Sequence, residues 1–298
     1  MARFDVDALI EEVVGEGLGF TTDVGQLTWL SSAIDADDLS FTVDTSGTQV
    51  SRGIVEVGNE LVFVAGINQD SGAATVAPFG RGFQATTAQA WPENTRVTMK
   101  PRFPRQRALD AINDLLNTTY PFIYVVDTTS ITTAGDGRIS YELPADADGV
   151  LRVEIVENLP TRDWTTLDRW HFNRSADATE FPSGKSLDIY EYALPGRDVQ
   201  VVYFKRPTAL ASGDSFTDSG LRESAWPAIK YGAMHMLLTG AVAGQAGTAN
   251  VNAAEKNRQH RLDPAGVQRE YYTLHRQYLL DERDRLLMDY PPTNPLEF

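Results

Sequence analysis

The stretch Gly53-Ile54-Val55-Glu56-Val57-Gly58-Asn59-Glu60-Leu61-Val62-Phe63-Val64-Ala65 decides the fold class. Two runs rich in β-branched residues flank a Gly-Asn pair, the two-residue spacing of a tight hairpin turn. The expectation is a β-hairpin, Gly53 to Val57 with Glu60 to Ala65. On either side lie further short apolar or alternating runs, Leu39 to Val43, Ala73 to Ala77 and Thr95 to Met99, with Asp44, Gly47, Asp70 and Gly72 at turn positions. Residues 21–101 therefore read as a β module of about five or six strands. Before it, Leu9, Ile10, Val13 and Val14 share one helical face and Gly15, Gly17 and Gly19 follow, which predicts a short helix within 1–20.

Past the module the period changes. From Arg105 to Asn117, Ala108, Leu109, Ile112, Leu115 and Leu116 form one apolar face, Pro104 suits the helix start, and Tyr120-Pro121 suits its stop, giving an amphipathic helix within 102–120. Residues 121–207 return to strands: Phe122 to Val126, Arg138 to Glu142, Val150 to Glu157, Trp164 to Phe172, Ser186 to Tyr190 and Val199 to Phe204, suited to a small sandwich or barrel. Residues 221–289 read as helical. Ala228 to Val242 follows Pro227 and is apolar nearly all round, so it must be buried. Asn252 with Glu255 has capping-box spacing, and after Asp263-Pro264 a face of Val267, Tyr271, Leu274, Tyr278, Leu279, Leu286 and Leu287 runs to Met288. Residues 290–298, with Pro291, Pro292 and Pro295, read as an extended tail. The fold class is α+β, β-rich modules of small antiparallel sheets combined with a helical bundle.

Composition narrows the chemistry. The 298 residues contain no cysteine, which excludes disulfides, thiolate catalysis and thiolate metal sites, and leaves His171, His235, His260 and His275 as nitrogen ligands. The net charge of −15 opposes wrapping nucleic acid. It is uneven: residues 1–60 carry twelve acidic side chains against Arg3 and Arg52, whereas residues 200–298 carry eleven of each sign. That asymmetry suits stacked contacts between subunits as well as it suits solvated faces. No run approaches the roughly 18 to 20 apolar residues of a membrane helix and the start lacks a signal-peptide core, so a soluble protein made in the cytoplasm is expected.

A search for catalytic patterns yields little. Ser183-Gly184-Lys185-Ser186 resembles the end of a phosphate loop, but Thr179 stands where that motif needs glycine. Asp35, Asp37 and Asp38, or Asp146 and Asp148, could offer oxygens to calcium, though neither run has the loop glycine of an EF-hand. No histidine pair has metal spacing and no Gly-x-Ser-x-Gly elbow occurs. The expectation is no enzyme, no cofactor and no metal. Arg81, Arg102, Arg105 and Arg107, near Phe79, Phe83 and Phe103, form the one locally basic patch, a candidate for contact between subunits or with nucleic acid. Tyr290, Pro291, Pro292, Leu296 and Phe298 mark the tail as a candidate segment for docking on a partner.

Two segments carry a resemblance. Glu60 to Val64, Thr75-Val76-Ala77-Pro78-Phe79-Gly80-Arg81-Gly82-Phe83, Thr86-Thr87-Ala88 and Thr95-Arg96-Val97 resemble a β module of tailed-bacteriophage neck and tail proteins, with Ala85-Thr86 where the family has Gly-Thr. Arg105 to Leu116 is similar to a helix of head-to-tail connector proteins. Together they span about Ser51 to Tyr124. The resemblance implies a head-to-tail adaptor of the virion: a homo-oligomeric ring, commonly of about twelve copies, seated beneath the portal protein, meeting tail or nozzle proteins, and passing DNA through an acidic channel during ejection. A tail-tube, baseplate or fibre-associated phage protein is the second reading. A carbohydrate-active β enzyme is the third, and it predicts a concave pocket lined by two carboxylates and by tryptophans such as Trp164 and Trp170.

Overall fold

The computed structural model describes residues 4–17, 26–45, 52–101, 103–134, 138–158, 162–190, 194–246 and 264–291. The chain forms two compact units, each gathered from three stretches: Met1–Leu115, Leu210–Ser215 and Ile229–His275 in the first, and Leu116–Ala209, Phe216–Ala228 and Arg276–Phe298 in the second. Helices and antiparallel sheets both contribute, so the fold is α+β.

The first unit is built on a six-stranded antiparallel sheet. Its strands are β1 (Gln26–Trp29), β2 (Ser40–Thr42), β3 (Gly53–Val57), β4 (Glu60–Ile67), β5 (Ala73–Val76) and β6 (Arg96–Met99), in the order β1-β6-β3-β4-β5-β2. The opening hairpin pairs Val57 with Glu60, Val55 with Val62 and Gly53 with Val64. Gly58 takes φ 57°, the first position of a turn that favours glycine there, and the Trp91 ring occupies the space a Cβ would need. Val55, Val57, Val62, Val64 and Val97 are fully buried with Leu30 and Met99, each valine contributing about 1.5–3 kcal/mol by leaving water.

On the other face of β3 Glu56 is also buried, for a different reason. Its carboxylate accepts the backbone N–H of Arg105 at 2.6 Å, the first residue of helix α2 (Arg105–Thr119). An anion at a helix N-terminus meets an unsatisfied donor and the positive end of the dipole. Strand β1 went unread in the sequence; its four residues, Gln-Leu-Thr-Trp, are too few for a periodic signal.

Helix α1 (Val6–Glu11) is capped by Asp5, whose side chain accepts the Asp7 N–H, and runs into a π-helical turn over Glu12–Gly17. Helices α3 (Trp226–Ala246) and α4 (Pro264–Asp289) also enter this unit. Gly232 leaves room for Leu115 of α2 and His275 of α4 to close on α3, where a methyl group would clash with both. Ile229, Ala233, Met234, Leu237 and Leu238 are buried, as an all-round apolar helix requires. The capping pair Asn252 and Glu255 lies outside the described residues.

The second unit is a sandwich. A four-stranded sheet has the order β10-β9-β13-β7 and a three-stranded sheet the order β11-β12-β8. The strands are β7 (Val125–Thr132), β8 (Ser140–Glu142), β9 (Gly149–Asn158), β10 (Asp163–Thr166), β11 (Trp170–Asn173), β12 (Ser186–Ile189) and β13 (Asp198–Lys205). One core joins both sheets: Val153, Ile155, Val199, Val201 and Tyr203 from the first, and Tyr141, Trp170, Phe172, Leu187 and Ile189 from the second.

Two expectations are corrected here. The single strand Trp164 to Phe172 is two strands in different sheets, broken where Leu167 turns inward and its N–H reaches the Val153 carbonyl at 2.8 Å. The strand expected at Phe122 to Val126 begins only at Val125, because the N–H groups of Phe122 and Ile123 both go to the Thr119 carbonyl and close the end of α2.

Candidate functional site

In the first unit Gly82, Gln89 and Trp91 converge on one buried ion pair, Glu60 with Arg81. Glu60 opens β4 with its side chain fully enclosed, and Arg81, 7% exposed, lies against it. The guanidinium donates to both Glu60 oxygens, from Nε at 2.7 Å and from Nη2 at 3.0 Å. It also donates to the carbonyls of Asp35 (2.6 Å), Asp38 (2.9 Å) and Gln89 (2.8 Å). Glu60 accepts further bonds from the Gly82 N–H at 2.9 Å, the Gln89 N–H at 3.3 Å and the Trp91 indole at 3.0 Å. Burial alone would raise the Glu60 pKa; the bonds from Arg81, Gly82 and Trp91 outweigh it and hold the carboxyl below its ordinary value. Thr86 accepts the Leu61 N–H at 3.0 Å and donates to the Phe83 carbonyl at 2.9 Å. Glu60, Arg81, Gly82 and Thr86 are thus structural ties.

The four arginines expected to form one basic patch are not gathered into one. Arg81 is spent on Glu60. Arg105 lies mostly buried between α1 and the hairpin, with Asp7 at 3.4 Å, Asn59 at 2.8 Å and Glu11 as partners. Arg107 is exposed, and Arg102 lies outside the described residues. Beside Arg105, burial pushes the Glu56 carboxyl up to about 7 despite the Arg105 N–H and the positive charge of Arg105 and Arg96.

Of the two acidic runs proposed for calcium, the second has its carboxylates paired by the protein's own cations, while the first meets a cation only through backbone carbonyls. The carbonyls of Asp35 and Asp38 face Arg81, and the Asp38 carboxylate accepts the Asp35 N–H at 2.8 Å. In the second unit Asp146 and Asp127 pair with Lys205 at 3.0 and 2.7 Å, which lifts the lysine pKa and lowers that of Asp127. Asp148 meets Lys185 at 3.5 Å and Arg206 at 3.4 Å and accepts from Tyr120 at 2.8 Å; burial and that carboxylate raise Tyr120 to about 12. Lys185, from the phosphate-loop look-alike, donates to the Ala147 carbonyl at 2.6 Å, so it ties a turn. Among the described residues no cluster of three or more His, Asp or Glu could hold a metal. His235 Nδ1 lies 3.2 Å from the Gln268 carbonyl, which accepts from it, while His260 lies outside the described residues.

The second unit also holds a recess of about 100 Å³, lined by Val126, Leu221, Leu286 and Tyr290 with Arg222 and Glu282. The Tyr290 hydroxyl is 3.2 Å from the Arg222 guanidinium, which also pairs with Asp289 and lies over the Tyr290 ring at 5.4 Å. Buried Glu282 accepts from Ser224 at 2.9 Å and from Arg285 at 3.3 Å. Of the tail residues, Tyr290 is half-buried and Pro291 exposed; Pro292, Leu296 and Phe298 lie outside the described residues. Trp170 is enclosed in the sandwich core and Trp164 stands exposed on β10.

Phe79 stands out against these satisfied groups: it is 99% exposed, at φ 59°. Its signal in the sequence was an aromatic between Pro78 and Gly80 in a turn. No family model matches this chain, and no curated protein matches it. No helix among the described residues is long and apolar enough to cross a membrane.

Proposed function

We propose that this chain is a structural subunit of a tailed-phage neck, a head-to-tail adaptor that assembles as a ring beneath the portal and joins capsid to tail. The observation that carries the reading is the Glu60–Arg81 tie: the residues that resemble the phage module brace a loop from within and raise a bare aromatic above it. The same economy recurs at Lys185, Lys205 and Arg105, whose charges are neutralised inside the fold. A rigid subunit with a prominent contact residue is what an assembly needs. Portal and tail proteins are the partners, and DNA passes without specific contact. Immunogold labelling of virions tests the assignment. Label at the head–tail junction supports it, label along the tail or at the baseplate favours the tail-protein reading, and unlabelled virions overturn both.

A further inference from the structure

Helix α1 is short, and a segment of six residues followed by one π-helical turn has little helical stability of its own. Its place on the first unit rests on Val6, Leu9, Ile10 and Val13, all buried, and on a set of charged ties. Glu11 binds two arginines, Arg105 of α2 and, at 2.7 Å, Arg96 of β6. Asp7 meets Arg105 at 3.4 Å and accepts from Ser212 at 2.9 Å. Glu12 meets Lys230 of α3 at 2.6 Å, and the Val6 N–H goes to the Asp214 carbonyl at 3.0 Å.

Glu56 stands in the same cluster without a cation of its own. Thr98 is its partner on β6, so Glu56 shares with Thr98 and Arg96 the sheet face opposite the valine core. It accepts the Arg105 N–H, while the Arg105 guanidinium is turned to Glu11, Asp7 and the Asn59 side chain. Arg96 gives Nη1 to Glu11 and keeps Nε enclosed with no hydrogen bond. Three carboxyl groups, those of Asp7, Glu11 and Glu56, thus surround two guanidiniums. The charges balance when Glu56 carries a proton, and an excess negative charge is enclosed when it does not. Burial above all pushes Glu56 up to about 7 against the pull of Arg105 and Arg96, and the charge of Glu11 adds to the rise.

We propose that this cluster is a proton-operated latch for α1. With its proton, Glu56 leaves both arginines to Asp7 and Glu11 and the helix stays seated. Without it, the carboxylate competes for Arg105 and for the idle Nε of Arg96, and α1 lets go, baring Val6, Leu9, Ile10 and Val13. Linkage fixes the direction. Below pH 4.5 Glu56 is protonated whether α1 is seated or released. Between 4.5 and about 7 only the seated form keeps the proton, so rising pH favours release, and above about 7 the bias is constant. The latch is independent of the neck assignment.

Hydrogen exchange of the full-length chain, followed by mass spectrometry at about pH 5.5 and about pH 7.5 and corrected for intrinsic exchange, reads the latch directly. In the parent protein the opening constant of the α1 peptide is expected to rise on the order of tenfold across that interval. The β4 peptide marks global unfolding, and α1 is expected to open more readily than β4 at both values, since the helix leaves a unit that stays folded. In Glu56→Gln, which keeps the acceptor and cannot titrate, α1 is expected to open equally at both. Glu11→Gln removes the charge that holds both arginines and is expected to raise α1 exchange at the lower pH. An α1 peptide indifferent to pH in the parent, a rise that persists in Glu56→Gln, opening of α1 only together with β4, or no effect of Glu11→Gln on α1 each overturns the latch.

Discussion

Replacing Glu56 by glutamine tests the energetics of the first unit most sharply. The carboxyl is 4% exposed and accepts the Arg105 N–H at 2.6 Å, an acceptor role that the glutamine carbonyl retains. Burial raises its pKa from 4.5 to about 7 in the folded protein. Below the unfolded value both states are protonated and the site carries no penalty. As pH rises through that interval the unfolded chain releases the proton and the folded one keeps it, so the site loses stability until about pH 7 and is level above. At ~1.4 kcal/mol per pKa unit, the loss is on the order of 3 kcal/mol. Glu56→Gln does not titrate, so its stability relative to the parent is predicted to rise by about that amount between pH 4.5 and pH 8. Urea unfolding of both proteins at each pH measures this. A stability difference that is independent of pH, or that shrinks as pH rises, would refute the assignment of a raised pKa to a buried Glu56.

Three further outcomes follow from the same structure. Arg81→Met strands Glu60 without its cation and is expected to cost about 3–5 kcal/mol, read as a lowered urea midpoint; adding Glu60→Leu should recover part of it. Phe79→Gly relieves left-handed strain of about 1–2 kcal/mol against about 0.4–1 kcal/mol of added unfolded-chain entropy, so a net gain of about 0.5 kcal/mol, roughly 1–2 °C in Tm, is expected; a lowered Tm would contradict the strain. Millimolar calcium should not displace the cations at Asp146 and Asp148, because Lys205 and Lys185 already pair with them; a Tm rise of several degrees that is lost with Asp146→Asn would show that calcium displaces them.

What the sequence revealed was mostly local. Gly53 to Val57 and Glu60 to Ala65 are strands with the expected turn, and Arg105 starts its helix where the proline and the apolar period placed it. In these segments the side-chain period and the turn residue agree. The break at Leu167 had a signal that the strand reading passed over: Thr165-Thr166 and Asp168-Arg169 interrupt the alternation on both sides of Leu167, where the backbone turns between sheets. The Glu60–Arg81 tie was hidden differently. Its partners stand 21 residues apart, and the carbonyls of Asp35 and Asp38 that complete it have no side-chain signature, so Arg81 read as one more surface charge. Phe79 was visible only as an aromatic in a turn; its exposure depends on a loop geometry that the hydrogen bonds of Gly80 and Arg81 impose.

The central claim, that this is an assembly subunit of a phage neck, is tested most directly by mixing the purified full-length chain with isolated portal rings from the same genome and imaging the mixture by electron microscopy. The expected result is an added ring of density on one face of the portal. Portal rings that remain bare at saturating protein would contradict it.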